Sequence, residues 1–262
     1  MPDAALFMQA MLHGFIAIGA LAAVTWLASI AKRDASIVDG IWSVMVVLPM
    51  LACIVLVAQP SPRALAVCTL AGLWATRLAF YIVWRNWNEP EDHRYREIRA
   101  RNEPGFGLKS AYLVFGLQGL LALVVSLPLA YAVASAREIA WLDVLGVALC
   151  AVGIAYETIA DAQLARFKSR AENRGRVLDS GLWRHTRHPN YFGEFCVWWG
   201  FYLIALAAGG WWTIASPFLM TVLLFKVSGV VLLEKDIASR RPAYRDYVES
   251  TNAFFPGPRR AR

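Results

Sequence analysis

Residues 141–165, WLDVLGVALCAVGIAYETIADAQLA, decide the fold class. The stretch exceeds the roughly 20 residues a helix needs to cross a bilayer. Its charged residues are confined to Asp143 near one end and to Glu157 and Asp161 near the other. Glu157 and Asp161 are spaced i and i+4, so they share a helix face, and Lys168 continues the stripe. An ionisable group inside a span costs about 2.5–3.5 kcal/mol, so these acids call for partners or water.

Six more apolar runs extend the pattern: 5–31, 38–58, 62–86, 108–133, 189–208 and 211–233. Composition agrees. Of 262 residues 58% are hydrophobic and 17% charged, against about 45–50% and 25% in soluble domains. The mean hydropathy is +0.45. A soluble enzyme, a disordered or fibrous chain and a disulfide scaffold are excluded. Cys53, Cys68, Cys150 and Cys196 lie in apolar runs without a C-x-x-C pair, and H-E-x-x-H is absent, so no metal site is expected. The expected fold is an all-α integral membrane protein of seven transmembrane helices. Short links make residues 1–262 one domain, with longer cytoplasmic segments at 87–107 and 166–187 and a tail at 236–262.

Charge sets the expected orientation. The net charge is +7, and 22 of the 26 basic residues fall after the first run, between the third and fourth, between the fifth and sixth, or after the seventh. By the positive-inside rule the N-terminus is outside and the C-terminus cytoplasmic, which requires an odd number of spans. The opening MPDAALFM has no basic region, so it reads as a first helix and not a signal peptide.

Further polar groups fall within the runs. Asp39 sits near the start of the second; it suits a first-turn acid or a working carboxylate. Trp74, Arg77 and Tyr81 share a stripe of the third. Lys226 lies in the seventh, where snorkelling accounts for it, and Glu234-Lys235-Asp236 closes that run. The sharpest local pattern is GLWRHTRHPNYFGE, residues 181–194. Pro189 suits the first turn of a helix, whose free N–H groups, flanked by Arg184, Arg187 and His188, make a corner for phosphate or carboxylate. Neither G-x-G-x-x-G nor G-x-x-x-x-G-K-[ST] occurs, so a nucleotide would bind between helices.

From about Asp39, and most specifically from Glu157 to Phe255, the chain resembles a bacterial member of the membrane steroid 5-alpha-reductase family, related to the sterol reductases. Asn190, Gly193 and Glu194 match that family's Asn-x-x-Gly-Glu signature. Arg77 and Tyr81 match its Arg-x-x-x-Tyr pattern. Asp161, with Glu157 and Lys168, matches the polar pattern of helix five, and Arg176 a basic phosphate contact. The resemblance implies NADPH bound from the cytoplasmic side, with His188, Tyr191, Lys235 and Asp236 completing the cofactor contacts. It implies hydride transfer to the activated C=C bond of a lipophilic enone, such as a Δ4-3-oxo steroid, entering from the bilayer. Asp39 falls where the family has a carboxylate that hydrogen-bonds the ketone, and Trp74 stands where it has a tyrosine. A neutral Asp39 would stabilise the oxyanion. The setting implied is a monomer in a bacterial inner membrane, with membrane lipids as partners and no nucleic acid.

Two other readings remain open. The isoprenylcysteine and phospholipid methyltransferases share an Arg-His-Pro-x-Tyr-x-Gly turn, here Arg187 to Gly193, and use S-adenosylmethionine. They carry a Glu-Glu pair after the last helix, where this chain has Glu234-Lys235-Asp236. A small transporter or lipid-binding protein would also explain the intramembrane charges.

Overall fold

The structure is a computed structural model that describes residues 4–227 and 242–260. Every regular element among them is helical. The chain divides into two compact units. The first comprises residues 1–143 and 204–216, the second 144–203 and 217–262.

In the first unit the long helices are α1 (Ala4–Lys32), α2 (Ile37–Leu56), α3 (Pro62–Arg85) and α5 (Phe106–Val125), with the short α4 (His93–Asn102) and α6 (Leu127–Val133). Ser61 caps α3 by accepting the Ala64 N–H, and Pro62 follows at a position where a missing N–H costs nothing. α2 is the buried centre: Val38, Met45, Val46, Met50 and Cys53 are sealed. Cross-links satisfy the polar groups that reach this core. The Ser43 hydroxyl donates to the Ala75 carbonyl at 3.0 Å, and the Trp26 indole donates to the Gly107 carbonyl at 2.8 Å. The Arg63 guanidinium is fully buried. It forks onto Asp143 at 2.6 and 2.8 Å and also donates to the carbonyls of Arg137 and Glu138. A buried charge tolerates burial only when satisfied in this way.

The second unit is built on α7 (Trp141–Ser169) and α8 (Pro189–Ala207), with α9 (Ala215–Val222) and α10 (Pro242–Ser250). α7 and α8 approach backbone to backbone over small residues. A Cβ on Gly153 would lie 2.7 Å from the Gly193 carbonyl oxygen, and one on Gly200 would lie 2.6 Å from the Cys150 sulfur. Small residues at such a crossing are how apolar helices pack closely where lipid supplies no hydrophobic drive.

Helices lie on all seven apolar runs, the last described to Val227. Five are long and apolar enough to cross a bilayer: α1, α2, α3, α5 and α7. α8 has 19 residues but carries Asn190 and Glu194 among aromatics, which lowers its hydropathy. The outward surface suits lipid: Phe15, Val55, Phe80, Leu120 and Val152 are exposed along these helices. Trp84, Trp87, Trp141 and Trp211 are exposed at helix ends, as in an interfacial aromatic belt. The protein is therefore an all-helical, membrane-embedded chain.

Candidate functional sites

In the first unit the Asp39 carboxylate is held from α4. The Tyr95 hydroxyl donates to Oδ1 at 2.5 Å, and Arg94 Nη2 donates to Oδ2 at 2.8 Å. The two partners lie 55 and 56 residues downstream. They sit in the 87–107 segment, on a short helix that spans His93–Asn102. Asp92 caps that helix by accepting the Arg94 N–H and also binds the Arg94 guanidinium at 3.0 Å. Glu91 accepts the Ala35 N–H at 2.8 Å and pairs with Arg99 at 2.7 Å. Gln118 on α5 reaches the Tyr95 oxygen at 3.5 Å.

The charges of this segment are strongly coupled. Burial, then the Asp39 charge, pushes the Tyr95 phenol well above its ordinary value. Burial works against the Arg94 cation, but Asp39 and Asp92 outweigh it and its pKa rises. Burial would raise Glu91 and Asp92; hydrogen bonds from Arg99 and Ala35 to the one, and from Arg94 to the other, leave both lowered. Trp74 is completely buried on α3, and Arg77 and Tyr81 are half-buried along the same helix. The Arg85 guanidinium lies 5.7 Å from the Tyr81 ring centre. The Asp39 carboxyl thus lies within hydrogen-bond reach of both a cation and a phenol.

In the second unit the glycine crossing brings the signature residues together. Pro189 is the first residue of α8, as its chemistry predicts. Gly193 is so close to α7 that a Cβ there would meet the Glu157 Cβ at 2.7 Å. Around this contact Glu157, Asp161 and Glu194 are all buried. The Asn190 amide donates to Asp161 at 3.3 Å, and the Trp198 indole donates to Glu194 at 2.8 Å. His188 is buried and stacks on Tyr191, with ring centres 5.6 Å apart and planes 7° from parallel. Lys168 and Arg176 are exposed. Lys235 and Asp236 lie outside the described residues.

Arg187 is structural. It donates to the carbonyls of Val248 and Thr251 at 3.0 and 2.6 Å, and its N–H reaches the Asn252 carbonyl at 2.9 Å. Thr186 donates to the Phe254 carbonyl at 2.8 Å, and Tyr247 to the Trp183 carbonyl at 2.5 Å. Phe254 packs on Phe225, with ring centres 4.2 Å apart. The tail aromatics Tyr244, Tyr247 and Phe254 are buried. The described tail therefore folds back onto the 183–188 turn. Of the basic groups expected at the anion corner, Arg187 caps the C-terminal carbonyls of α10, while Arg184 stays exposed.

Sequence reading missed Arg94, Tyr95 and Gln118. The available signal was a single tyrosine among arginines on a short polar helix with an Asp cap. Among the described residues no cluster suited to a metal ion occurs.

The model of a family described as a protein of unknown function, DUF1295, matches residues 25–251. An uncharacterized protein of Schizosaccharomyces pombe, C594.04c, is 34% identical over 100 residues, covering 35% of this chain and 27% of its own length. The chain thus spans about a quarter of that relative. No solved structure matches.

Proposed function

This chain belongs to the DUF1295 family of unknown function, and from that premise we propose that it is a membrane reductase of the steroid 5-alpha-reductase type. It reduces the activated C=C bond of a lipophilic enone at the expense of NADPH. The observation that carries this reading is the polar cluster at the α7–α8 crossing, where Glu157, Asp161 and Glu194 are buried and half-buried Asn190 donates to Asp161. Four such groups in an apolar setting mark function, because each is costly to keep there. We read seven spans with the N-terminus outside and the C-terminus cytoplasmic, in a bacterial inner membrane, from the distribution of basic residues.

The residues fit the cofactor by chemistry. Three carboxylates and an amide suit ribose hydroxyls and a carboxamide, and exposed Lys168 and Arg176 on the following segment suit phosphates. NADPH, when bound, supplies the hydride. The chain's own residues do the rest. Asp161 and Asn190 orient the cofactor, and Glu194, fixed by Trp198, keeps the neighbouring rung in place. Negative charge builds on the ketone oxygen as the enone is reduced. In the first unit the Tyr95 hydroxyl and the Arg94 guanidinium, both on Asp39, are donors of the kind that would stabilise such an oxygen.

The test is a melting curve of the full-length protein in detergent with NADPH, NADH or S-adenosylmethionine. NADPH at a hundredfold excess over its dissociation constant should stabilise by about 2.7 kcal/mol, and the double change Asp161→Ala, Asn190→Ala should remove the effect. Stabilisation by S-adenosylmethionine alone would transfer the site to methyl transfer. Stabilisation by none of the three would end the enzyme reading.

A further inference from the structure

A groove at the far end of α7 lies outside the polar cluster. Its volume is about 410 Å³, within the roughly 300–1,000 Å³ of small-molecule sites. Ile159, Phe167 and Leu178 form its apolar side; Gln163, Arg166 and Arg170 form its polar side. Both arginines are exposed. The nearest acids are Glu172, 3.9 Å from Arg170 and itself exposed, and Asp179, which Arg259 engages at 2.7 Å. The Gln163 carbonyl oxygen accepts the Leu182 N–H at 3.0 Å, which leaves its NH₂ group as a donor. With Asn173 and Ser180 also in the lining, the polar side holds two cations and no carboxylate, and the other side is hydrocarbon.

Helix length sets the depth of this groove. The 29 residues of α7, at about 1.5 Å each, make roughly 43 Å, well beyond a hydrocarbon core of about 30 Å. Twenty residues counted from the first apolar position after Asp143 run from Val144 to Gln163. Arg166 and Arg170 then fall in the headgroup layer. A continuous exposed stripe leads to them along the helix: Val144, Leu145, Ala148, Val152, Ala155 and Ile159. Two hydroxyl-bearing side chains border that face: Thr158, bonded back to the Ile154 carbonyl at 2.6 Å, and the half-buried Tyr156, whose ring packs on Phe192. The stripe positions themselves are small or apolar.

We propose that this groove and stripe bind one anionic phospholipid, with its headgroup phosphate between Arg166 and Arg170 and an acyl chain along α7. The chemistry selects net negative charge, because both arginines face outward while a zwitterionic headgroup brings its own cation to the same place. The site is independent of the reductase reading and needs only the bilayer. It adds a lipid requirement that no catalytic residue supplies.

The experiment uses the full chain in detergent with equal phosphatidylglycerol and phosphatidylcholine, and retained lipid is read by native mass spectrometry. Phosphatidylglycerol should be held about thirtyfold better than phosphatidylcholine, the ratio two arginines give at an anionic surface. Arg166→Gln with Arg170→Gln should abolish the preference while the melting temperature stays put. Lys32→Gln with Arg33→Gln, at another basic helix end, should leave it intact. Equal retention in wild type and the groove variant, or equal loss in the control pair, overturns the proposal. Displacement of the lipid by soluble glycerol phosphate or by NADPH also overturns it, since the groove would then serve a water-soluble phosphate.

Discussion

The two long charged segments differ in the balance of their charges and in the use they make of them. Segment 87–107 has four arginines and five acids; segment 166–187 has seven basic residues and two acids. In the first, Arg94 and Arg99 turn inward onto Asp39, Asp92 and Glu91. In the second, Arg166, Lys168, Arg170 and Arg176 are exposed, and Arg187 is spent on backbone carbonyls. Matched charge builds a fixed local structure, and surplus charge stays at the surface. The ratio of acids to bases within a loop separates the two, where the count of basic residues alone does not.

The sharpest way to break this comparison is at Tyr95. If the first segment exists to aim a phenol, Tyr95→Phe should lower kcat by about 10²–10⁴, the range for a positioned acid, and leave NADPH affinity unchanged. Turnover assays with a lipophilic enone, beside cofactor titrations, separate the two effects. Activity within about threefold of wild type, well under the smallest contribution expected of an acid, would reduce the Tyr95–Asp39 bond to architecture.

Stability gives the next largest contrast. Arg94→Leu strands the Asp39 carboxylate at the end of α2. The pair is partly exposed, so the loss should fall between the roughly 1 kcal/mol of a surface pair and the 3–5 of a buried one. Arg170→Ala, in the second segment, should change stability by less than about 0.5 kcal/mol. Melting curves of the two variants test this directly. Equal losses would mean that the second segment is as tightly built as the first.

The helices were legible because their signals are local. Apolar length marks α1, α2, α3, α5 and α7, Pro189 marks the first turn of α8, and Asp92 marks the cap of α4. The pairing of Asp161 with Asn190 was legible in part, since both lie on patterned faces. The partners of Asp39 were not. Any of the four arginines of segment 87–107 could neutralise it, and only the turn that docks α4 selects Arg94 and Tyr95. The contact of Arg187 with the tail was not legible either: its guanidinium donates to the carbonyls of Val248 and Thr251, 61 and 64 residues downstream at the end of a helix. Of the two runs beyond the five, α8 carries Asn190 and Glu194, which lower its hydropathy, and the last is described only to Val227.

The smallest expected effect is the pH profile of the first segment, and its sign differs at the two ends. Glu91 and Asp92 are lowered in the folded state from ordinary values of 4.5 and 3.8. Their contribution is full above those values and is lost as acid drives the folded carboxylates to protonate. Tyr95 is raised above its ordinary 10.0. Above that pH the unfolded phenol ionises while the folded one keeps its proton, so stability falls again as alkali is added. Hydrogen exchange of the α4 amides should therefore be slowest on a plateau from about pH 5 to 9 and speed up on both sides, once corrected for intrinsic exchange. Tyr95→Phe should remove the alkaline limb and leave the acid one. An alkaline limb that survives Tyr95→Phe would assign it to another phenol, with Tyr247 the next to examine, since burial raises it as well.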